Sequence, residues 1–328
     1  MIGRAFDTCL RTALSHRTAL LASVDTTAWR VLDGAGDGVP GVYVDRLGPA
    51  AILSVYDDAR LSDDAITAAA RTTLHVLGEA LGVQAVYVKP FARDRSRLGG
   101  DLPDESRHAT PRAGAPQPEV LVVQEHGVHF EVRPYDGLST GLFLEHREHR
   151  RALAAWRPSR VLNLFAYTCG FAVPLALAGA QVTNVDVSAR YLDWGRRNAA
   201  LNGLDPATMR FFRRDSREFL AQAARRPEER FDLVILDPPT FGAADRRRGV
   251  PAWRAVDDYP ALVRAAVQVL TPGGRLFAAS NTRELADNGV LAALVDGVLA
   301  RPPRWQTLPS WPEDVREPGR VAAVCVVP

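Results

Sequence analysis

The sequence has 328 residues, 47% of them hydrophobic, and a formal net charge of only +2. This length is long for one domain, so we expect a large domain and a smaller one, and the small charge neither requires nor excludes a nucleic-acid partner. No uninterrupted apolar run approaches the roughly 20 residues that span a bilayer, and the amino terminus lacks the apolar core of a signal peptide. We therefore expect a cytoplasmic protein with no membrane partner.

The cysteines Cys9, Cys169 and Cys325 are scattered along the chain and have no metal-binding spacing. An odd number of cysteines without a motif argues against a disulfide framework and against a zinc site. His146 and His149 are three residues apart, but no third ligand accompanies them, so we interpret them as surface or packing residues. We expect no metal.

The first part of the chain predicts a small domain. Residues 1–28 resemble an amphipathic helical segment, residues 29–98 predict a small α+β domain, and residues 99–118, rich in Gly, Pro and charge, predict a surface loop or linker. The elements predicted in the small domain are a strand from Trp29, a glycine-dense turn over 33–41, strands over 42–46 and 48–56, a helix over 63–81 and a strand over 85–89.

Residues 119–328 predict a β-hairpin followed by the large domain. The hairpin strands are predicted over 120–124 and 128–133, and a helix reaches about Trp156. From Arg160 onward, strands alternate with helices, which is typical of an α/β fold with a parallel, Rossmann-like sheet. The predicted strands cover 160–166, 181–186, 209–215, 231–237, 275–282, 305–308 and 320–327, and the helices cover 171–180, 189–202, 216–224, 259–270 and 289–300.

Polar residues follow four of these strands. Gly170 opens a helix after the first strand, and Asp186, Asp215 and Asp237 end the next three. Parallel sheets bind ligands outside the carboxyl ends of their strands, so these residues should converge on one crevice. A glycine turn alone is weak support, and Asp186 and Asp215 could each be a helix cap; together the acids favour an adenosine pocket. The turn lacks the G-x-G-x-x-G pattern of an NAD site.

The sharpest signal is Asp237-Pro238-Pro239-Thr240, which is followed by Phe241. Two prolines disfavour continuation of the strand or a helix, so they predict a rigid turn at its end. Such a turn can hold a carboxylate and backbone carbonyls against a planar substrate. A purely structural turn would need neither the preceding acid nor the following aromatic.

With these motifs the chain resembles the class I S-adenosylmethionine-dependent methyltransferases that modify nucleic-acid bases. It is most similar to the 23S ribosomal RNA methyltransferases of the K/L (guanine-N7) and I (5-methylcytosine) types. The resemblance extends over almost the whole chain from about Leu14. The matching segments are 34–46, Thr140 to Arg147, Asn163 to Thr168, Asp186 to Trp194, Arg197 to Leu204, Phe231 to Phe241 and Ser280 to Arg283.

The resemblance implies S-adenosylmethionine as cofactor, structured RNA as partner, and a mostly parallel sheet with an antiparallel last strand. It implies that the methionine part, the ribose and the adenine of the cofactor contact residues that follow the strands, and that Phe143 and Arg147 close the pocket. The cofactor-binding residues are then Phe143, Arg147, Phe165, Tyr167, Thr168, Gly170, Asp186, Val187, Asp215, Ser216 and Asp237. The residues at the reacting base are Asp237, Pro238, Pro239, Thr240, Phe241 and Asn281.

Two departures from the family pattern concern the cofactor and the RNA. Cys169 stands where the family usually has glycine, which puts a side chain near the sulfonium of the cofactor. The amino-terminal PUA module of the I type is also expected to be absent, because the glycine turn of residues 33–41 comes too early to leave room for it. Arg246, Arg247 and Arg248 either bind RNA phosphates beside the base or form a solvated loop.

The chemistry at the fifth strand favours guanine N7 over cytosine C5. Methylation of cytosine C5 needs a cysteine that attacks C6, and the strand ends in Ser280-Asn281-Thr282 instead. Guanine N7 has a free lone pair, so positioning suffices. Two alternatives remain open: a methyltransferase of small molecules on the same scaffold, and a catalytically silent RNA- or ribosome-binding homologue.

Overall fold

The computed structural model describes residues 2–92, 104–244, 250–317 and 319–328. It divides into two compact units. The first unit comprises Met1–Arg147 and Trp311–Glu317, and the second comprises Glu148–Ser310 and Pro318–Pro328. No helix in these ranges has both the length and the apolar character needed to cross a bilayer.

The described ranges contain α-helices and β-strands in the following order. The helices are α1 (Ile2–Ser15), α2 (Thr18–Ala22), α3 (Asp63–Leu81), α4 (Arg147–Ala155), α5 (Ala172–Leu177), α6 (Ala189–Leu201), α7 (Ser216–Ala224), α8 (Ala255–Val267) and α9 (Asn288–Asp296). The strands are β1 (Ala28–Asp33), β2 (Val42–Leu47), β3 (Ala50–Tyr56), β4 (Ala85–Phe91), β5 (Ala113–Gly114), β6 (Leu121–Glu125), β7 (Val128–Val132), β8 (Arg160–Leu164), β9 (Gln181–Asp186), β10 (Arg210–Arg213), β11 (Phe231–Leu236), β12 (Phe241–Gly242), β13 (Trp253–Arg254), β14 (Leu270–Ser280), β15 (Arg304–Gln306) and β16 (Ala322–Val327).

The first unit is built on a five-stranded sheet of order β1-β2-β3-β4-β5. Its single parallel pair is β3 with β4, and α3 connects these two strands. The bounds of α3 follow from its caps: the Ser62 side chain accepts a hydrogen bond from the Ala65 N–H, and Gly82 ends the helix in the left-handed conformation at φ 70°. Apolar residues of α1 and α3 form one core with this sheet.

The domain boundary lies elsewhere than the sequence suggests. The β6–β7 hairpin, which we expected to begin the large domain, belongs to the first unit. Its strand and turn form hydrogen bonds with residues that precede β1, including Thr27 N–H to Gln124 O (2.8 Å) and Gly127 N–H to Asp25 O (2.8 Å). The predicted loop of 99–118 also contributes β5, which pairs with the edge of β4, while residues 99–103 lie outside the described ranges.

The segment Trp311–Glu317 returns to the first unit late in the chain and is held there by buried polar groups. Asp314 is fully buried and forms an ion pair with Arg147, with 2.5 Å between Nη2 and Oδ1. The Asp33 carboxylate accepts the backbone N–H groups of Arg316 (2.6 Å) and Glu317 (2.7 Å). A buried guanidinium is tolerated only when it is paired, so this segment is part of the core of the first unit.

The second unit contains a seven-stranded sheet of order β10-β9-β8-β11-β14-β16-β15. The pairs from β10 to β14 are parallel, and β16 lies antiparallel to β14. This confirms the prediction of a mostly parallel sheet with an antiparallel last strand. The five parallel strands alternate with helices, and the central strands are buried on both faces, as in other doubly wound sheets.

Some element bounds differ from the sequence prediction. Helix α8 begins at Ala255 rather than Tyr259, because the pairing of β13 with β12 leads the chain directly into the helix. Strand β14 begins at Leu270 rather than Arg275. The Thr271-Pro-Gly-Gly sequence is accommodated there by a register irregularity opposite Phe231 and Leu233, with Gly273 at φ 78°.

Candidate active site

Four neighbouring parallel strands end at one edge of the second sheet. Register pairs join Leu164 of β8 to Val185 of β9 and to Leu236 of β11, and Leu236 to Ala278 of β14. The residues that follow these strands therefore share the edge where parallel sheets bind ligands. They include most of the site residues predicted from the sequence.

The turn after β8 is held in an unfavourable backbone conformation. Phe165, Tyr167 and Cys169 all have positive φ, at 54°, 48° and 63°, although none of them is glycine. A non-glycine residue in the left-handed region costs on the order of 1–3 kcal/mol, and such residues cluster at functional sites. The surrounding structure must fix this turn, and one fixed point is the Phe165 N–H, which donates to Ser216 Oγ at 3.4 Å.

Asp186 joins the turn after β8 to the start of α6. Its carboxylate accepts the backbone N–H of Tyr167 at 2.9 Å and that of Ser188 at 2.8 Å, one on each oxygen. Ser188, rather than Asp186, caps α6 by accepting the Tyr191 N–H at 3.3 Å. Burial raises the pKa of Asp186, and the two amide hydrogen bonds only partly offset that effect. The residue is thus not the solvated helix cap that the sequence left as an alternative.

Asp215 is buried at the start of α7 and is the N-cap of that helix. Its carboxylate accepts the backbone N–H of Arg217 at 2.8 Å and hydrogen bonds from two guanidinium nitrogens of the same residue, Nε at 3.0 Å and Nη2 at 2.8 Å. Burial opposes ionisation, but the hydrogen bonds and charge of Arg217 outweigh it and lower the pKa of Asp215. The Glu218 N–H also contributes to this lowering, so the roughly four acceptor positions of the carboxylate are already engaged, and the contact to adenine stays a prediction.

The Asp237–Thr240 turn follows β11 and leads into β12. Pro238 is buried, Pro239 is exposed, and the side chain of Phe241 is 60% exposed. Beneath the turn, the Tyr259 hydroxyl donates to Ala279 O at 2.7 Å; burial and the charge of Asp237 raise the pKa of Tyr259 well above its usual range. The sequence predicted a turn at the end of this strand; the role of the turn and of Phe241 at the reacting base stays a prediction.

A chain of polar groups connects this turn to the end of β14. The Thr282 hydroxyl donates to Thr240 Oγ1 at 3.3 Å, and the Thr240 hydroxyl donates to Asn281 Oδ1 at 3.3 Å. Both hydrogen bonds are long, and in both the donor lies on the side of Thr282 and the acceptor on the side of Asn281. They leave the NH₂ group of Asn281 to act as a donor.

The Cys169 side chain packs against α6. Its thiol is fully buried in the core against α6, where a Cβ on Gly195 would overlap Sγ and lie 2.9 Å from the Cβ of Cys169. Burial raises the pKa of the thiol far above its usual range, so it is a packing group in its neutral form.

The other predicted residues have mixed positions. Thr168 is buried, Val187 is 40% exposed, and Gly170 follows the strained turn at partial exposure. Phe143 and Arg147 belong to the first unit, where the Arg147 guanidinium is engaged with Asp314, so their role at the cofactor stays a prediction.

Of the other basic side chains considered in the sequence analysis, the structure describes the two histidines. Arg246, Arg247 and Arg248 lie outside the described residues. His146 and His149 are both buried, His146 beside Trp311 in the first unit and His149 beside Phe277 in the second, in agreement with a packing role.

Sequence reasoning missed two side chains that shape the site, Arg217 and Trp253. Arg217 neutralises Asp215, and the Trp253 indole N–H donates to Pro239 O at 2.6 Å. The only sequence signal was indirect: an Asp-x-Arg pattern at a helix start, and an aromatic residue shortly after an arginine-rich loop.

Comparison with known proteins agrees with this geometry. Residues 107–296 match the model of the S-adenosylmethionine-dependent methyltransferase family. Ribosomal RNA large subunit methyltransferase K/L of Psychrobacter sp. is 38% identical over 204 residues, which are 59% of this chain and 24% of that protein. Ribosomal RNA large subunit methyltransferase I of Klebsiella pneumoniae is 33% identical over 275 residues, 83% of this chain and 64% of that protein. The match thus spans about a quarter of the length of the K/L relative and just under two thirds of the length of the I relative.

Among solved structures, a methyltransferase complexed with SAH matches the fold with a TM-score of 0.82 and 24% identity, covering 99% of this chain and 81% of the other. The chain belongs to the family of S-adenosylmethionine-dependent methyltransferases. It is an enzyme, and its cofactor is S-adenosylmethionine.

The residues after β8 and β9 fit this cofactor chemically. Asp186 uses two of its roughly four acceptor positions on backbone amides, so two remain for a pair of ribose hydroxyls. The strained turn of Phe165 to Cys169 is the feature that a purely structural connection would not require. We expect Asp186 to hold the ribose and the turn to hold the methionine part.

Proposed function

We propose that this enzyme methylates a base of structured RNA and that large-subunit ribosomal RNA is its substrate. One observation carries the proposal: the strand-end residues expected to hold the nucleoside of the cofactor share one edge of the sheet with a double-proline turn that is followed by an exposed aromatic ring. The printed names of the K/L and I relatives support the choice of RNA. An exposed Phe241 suits stacking on a base that has left its helix, because each base offers a flat apolar face.

We further propose that the reacting atom is guanine N7. Attack on cytosine C6 requires a thiolate, and two of the three cysteines are unsuited to provide one. Cys169 packs in the core against α6, and Cys325 is buried in β16, where burial raises its pKa to about 12. Cys9 lies in α1 of the first unit. The end of β14, where the cytosine enzymes of this family place their cysteine, carries Asn281 here.

The polarity of the Asn281 amide also favours guanine. Because its oxygen accepts from Thr240, its NH₂ group is oriented to donate. Guanine presents the acceptors O6 and N7 on one edge, whereas cytosine presents an amino donor there. An NH₂ group that donates to O6 would hold guanine with N7 beside it.

The side chains would act mainly by positioning. S-adenosylmethionine, when bound, supplies an electrophilic methyl group. Guanine N7 carries a lone pair and no proton, so no general base is needed and in-line orientation is the main requirement. Phe241 would stack on the base, Asn281 would hold O6, and the carboxylate of Asp237 would favour the positive charge that the purine gains.

The test is methylation of an unmodified 23S rRNA transcript, followed by nucleoside mass spectrometry and by reduction and aniline cleavage, which break the chain at N7-methylguanine. We expect one cleaved position and no 5-methylcytidine. Methyl transfer that yields 5-methylcytidine would refute the guanine assignment. Transfer only to small molecules, or cofactor binding without any transfer to RNA, would refute the RNA assignment in favour of a metabolite methyltransferase or a silent binding protein.

A further inference from the structure

The double-proline turn cannot stabilise itself with its own amides. The rings of Pro238 and Pro239 fix their own φ angles but leave no N–H groups, so hydrogen bonds to these two residues must come from partners that donate to their carbonyl oxygens. Two such partners come from one short segment: the Trp253 indole N–H donates to Pro239 O at 2.6 Å, and the Ala255 N–H donates to Thr240 O at 3.0 Å. Residues 253–255 therefore act as a brace for the turn.

Trp253 is fixed from several directions. Its side chain is only 4% exposed, and its ring centroid lies 5.5 Å from that of Phe165 in the strained turn after β8. In the β12–β13 pair it lies opposite Gly242, where a Cβ would come within 3.2 Å of the tryptophan Cβ. One indole therefore contacts the cofactor side of the site with its ring and the double-proline turn with its N–H.

Arg217 anchors the chain just before Trp253. Its Nη1 donates to Ala252 O at 3.1 Å, its Nη2 donates to Pro251 O at 2.9 Å, and its guanidinium carbon lies 5.7 Å from the Trp253 ring centroid. The same guanidinium is paired with Asp215, the predicted adenine neighbour. The brace is thus fastened to the first turn of α7 through Arg217.

We propose that Trp253 is a positioning residue of the methyl-transfer reaction: its indole N–H fixes the Pro239 carbonyl and thereby the orientation of Asp237, Thr240 and Phe241 toward the acceptor base. This inference rests on the proposed function. It assigns Trp253 no contact with RNA or with the reacting atoms. Loss of the indole N–H alone, with the ring retained, should therefore reduce the rate of transfer and leave cofactor binding in place, because a displacement of about 1 Å can cost roughly 100-fold in rate.

The decisive variant replaces Trp253 with benzothienylalanine, incorporated at this single position, which keeps the ring shape and exchanges the N–H for sulfur. Trp253→Phe serves as a second variant. The matched control is Trp29, a fully buried tryptophan of the first unit whose Nε1 has no hydrogen-bond partner among the described residues. At position 29, benzothienylalanine removes the indole N–H and phenylalanine shortens the ring, as at position 253, but neither replacement removes a hydrogen bond.

The measurements are kcat and KM on the 23S rRNA transcript, the dissociation constant for S-adenosylmethionine by calorimetry, and the urea midpoint. For benzothienylalanine at position 253 we expect kcat to fall about 10- to 100-fold, with cofactor affinity within twofold of the unmodified enzyme and an unchanged KM for the cofactor. The variants at position 29 should keep the full kcat.

Three outcomes separate the claims. Full kcat in the position-253 isostere overturns this inference while the proposed function stands. A loss of kcat only in Trp253→Phe also overturns it, since ring packing rather than the N–H would then matter. Absence of RNA methylation by the unmodified enzyme refutes the proposed function itself and this inference with it.

Discussion

Replacing Gly195 with alanine should destabilise the enzyme, although the same change in the interior of a helix is ordinarily favourable. Alanine is preferred over glycine there by about 1 kcal/mol. At position 195 the new Cβ would overlap Sγ of Cys169 and lie 2.9 Å from its Cβ. Overpacking of a dense core costs about 1–3 kcal/mol, so we expect a net loss of about 1 kcal/mol.

The effect should change sign when Cys169 is replaced by glycine. That replacement removes the sulfur that the alanine would strike, and at φ 63° glycine also relieves about 1–2 kcal/mol of backbone strain. In this background Gly195→Ala should stabilise by about 1 kcal/mol. Helix propensity cancels in a double-mutant cycle, so the coupling energy should equal the overpacking cost, about 1–3 kcal/mol.

Urea unfolding of the four proteins provides the measurement, with far-UV circular dichroism and tryptophan fluorescence recorded together to check that one transition is observed. Identical effects of Gly195→Ala in both backgrounds would show that Cys169 does not pack against α6. Calorimetry on the same proteins tests the cofactor. Because the thiol is buried in the core, Cys169→Gly should leave the affinity for S-adenosylmethionine within about twofold.

Three further perturbations test the site and the fold. Asp186→Ala should abolish cofactor binding. In the unmodified enzyme, the affinity for S-adenosylmethionine should fall as the pH is lowered through the raised pKa of Asp186, which lies above that of an ordinary aspartate. An affinity that calorimetry finds unchanged down to pH 4 would refute the ribose assignment. Burial lowers the pKa of Lys89 from 10.5 to about 7, so between these two pH values the unfolded chain binds a proton that the folded chain lacks. In that window the free energy of unfolding should rise by up to about 1.4 kcal/mol per pH unit, and urea titrations of Lys89→Met should lose this slope. Phe241→Ala should raise the KM for RNA by the equivalent of about 1–3 kcal/mol. Trp305→Ala removes another exposed ring and should leave the KM for RNA unchanged. Equal effects of the two substitutions would contradict stacking of the base on Phe241.

The sequence predicted those elements whose signals are local. The bounds of α3 and α7 agree with the structure because Ser62, Gly82 and Asp215 are caps that act within one turn of their helix. The order of polar residues after the parallel strands was equally predictable, because alternation of strands and helices determines which strand ends share an edge.

The contacts that depend on backbone direction could not be predicted. The thiol of Cys169 points into the core because φ is positive there, and a sequence does not give the sign of φ for a cysteine. Trp253 reaches Pro239 because β13 pairs with β12, and this pairing joins residues that are about ten positions apart in sequence. The hairpin of β6 and β7 joined the first unit through hydrogen bonds to residues 25–27, which are about 100 positions away in sequence.

The late return of Trp311–Glu317 has a consequence for dissecting the protein. A fragment ending at Arg147 would retain every strand of the first sheet and still lack Asp314 and the Arg316 and Glu317 amides. Arg147 would then lose its carboxylate and Asp33 two of its amide donors, and a buried charge stripped of its partner costs about 3–5 kcal/mol. Expression of the amino-terminal part alone should give an insoluble product. A fragment in which a linker replaces residues 148–310 and joins Arg147 to residues 311–317 would keep these buried partners.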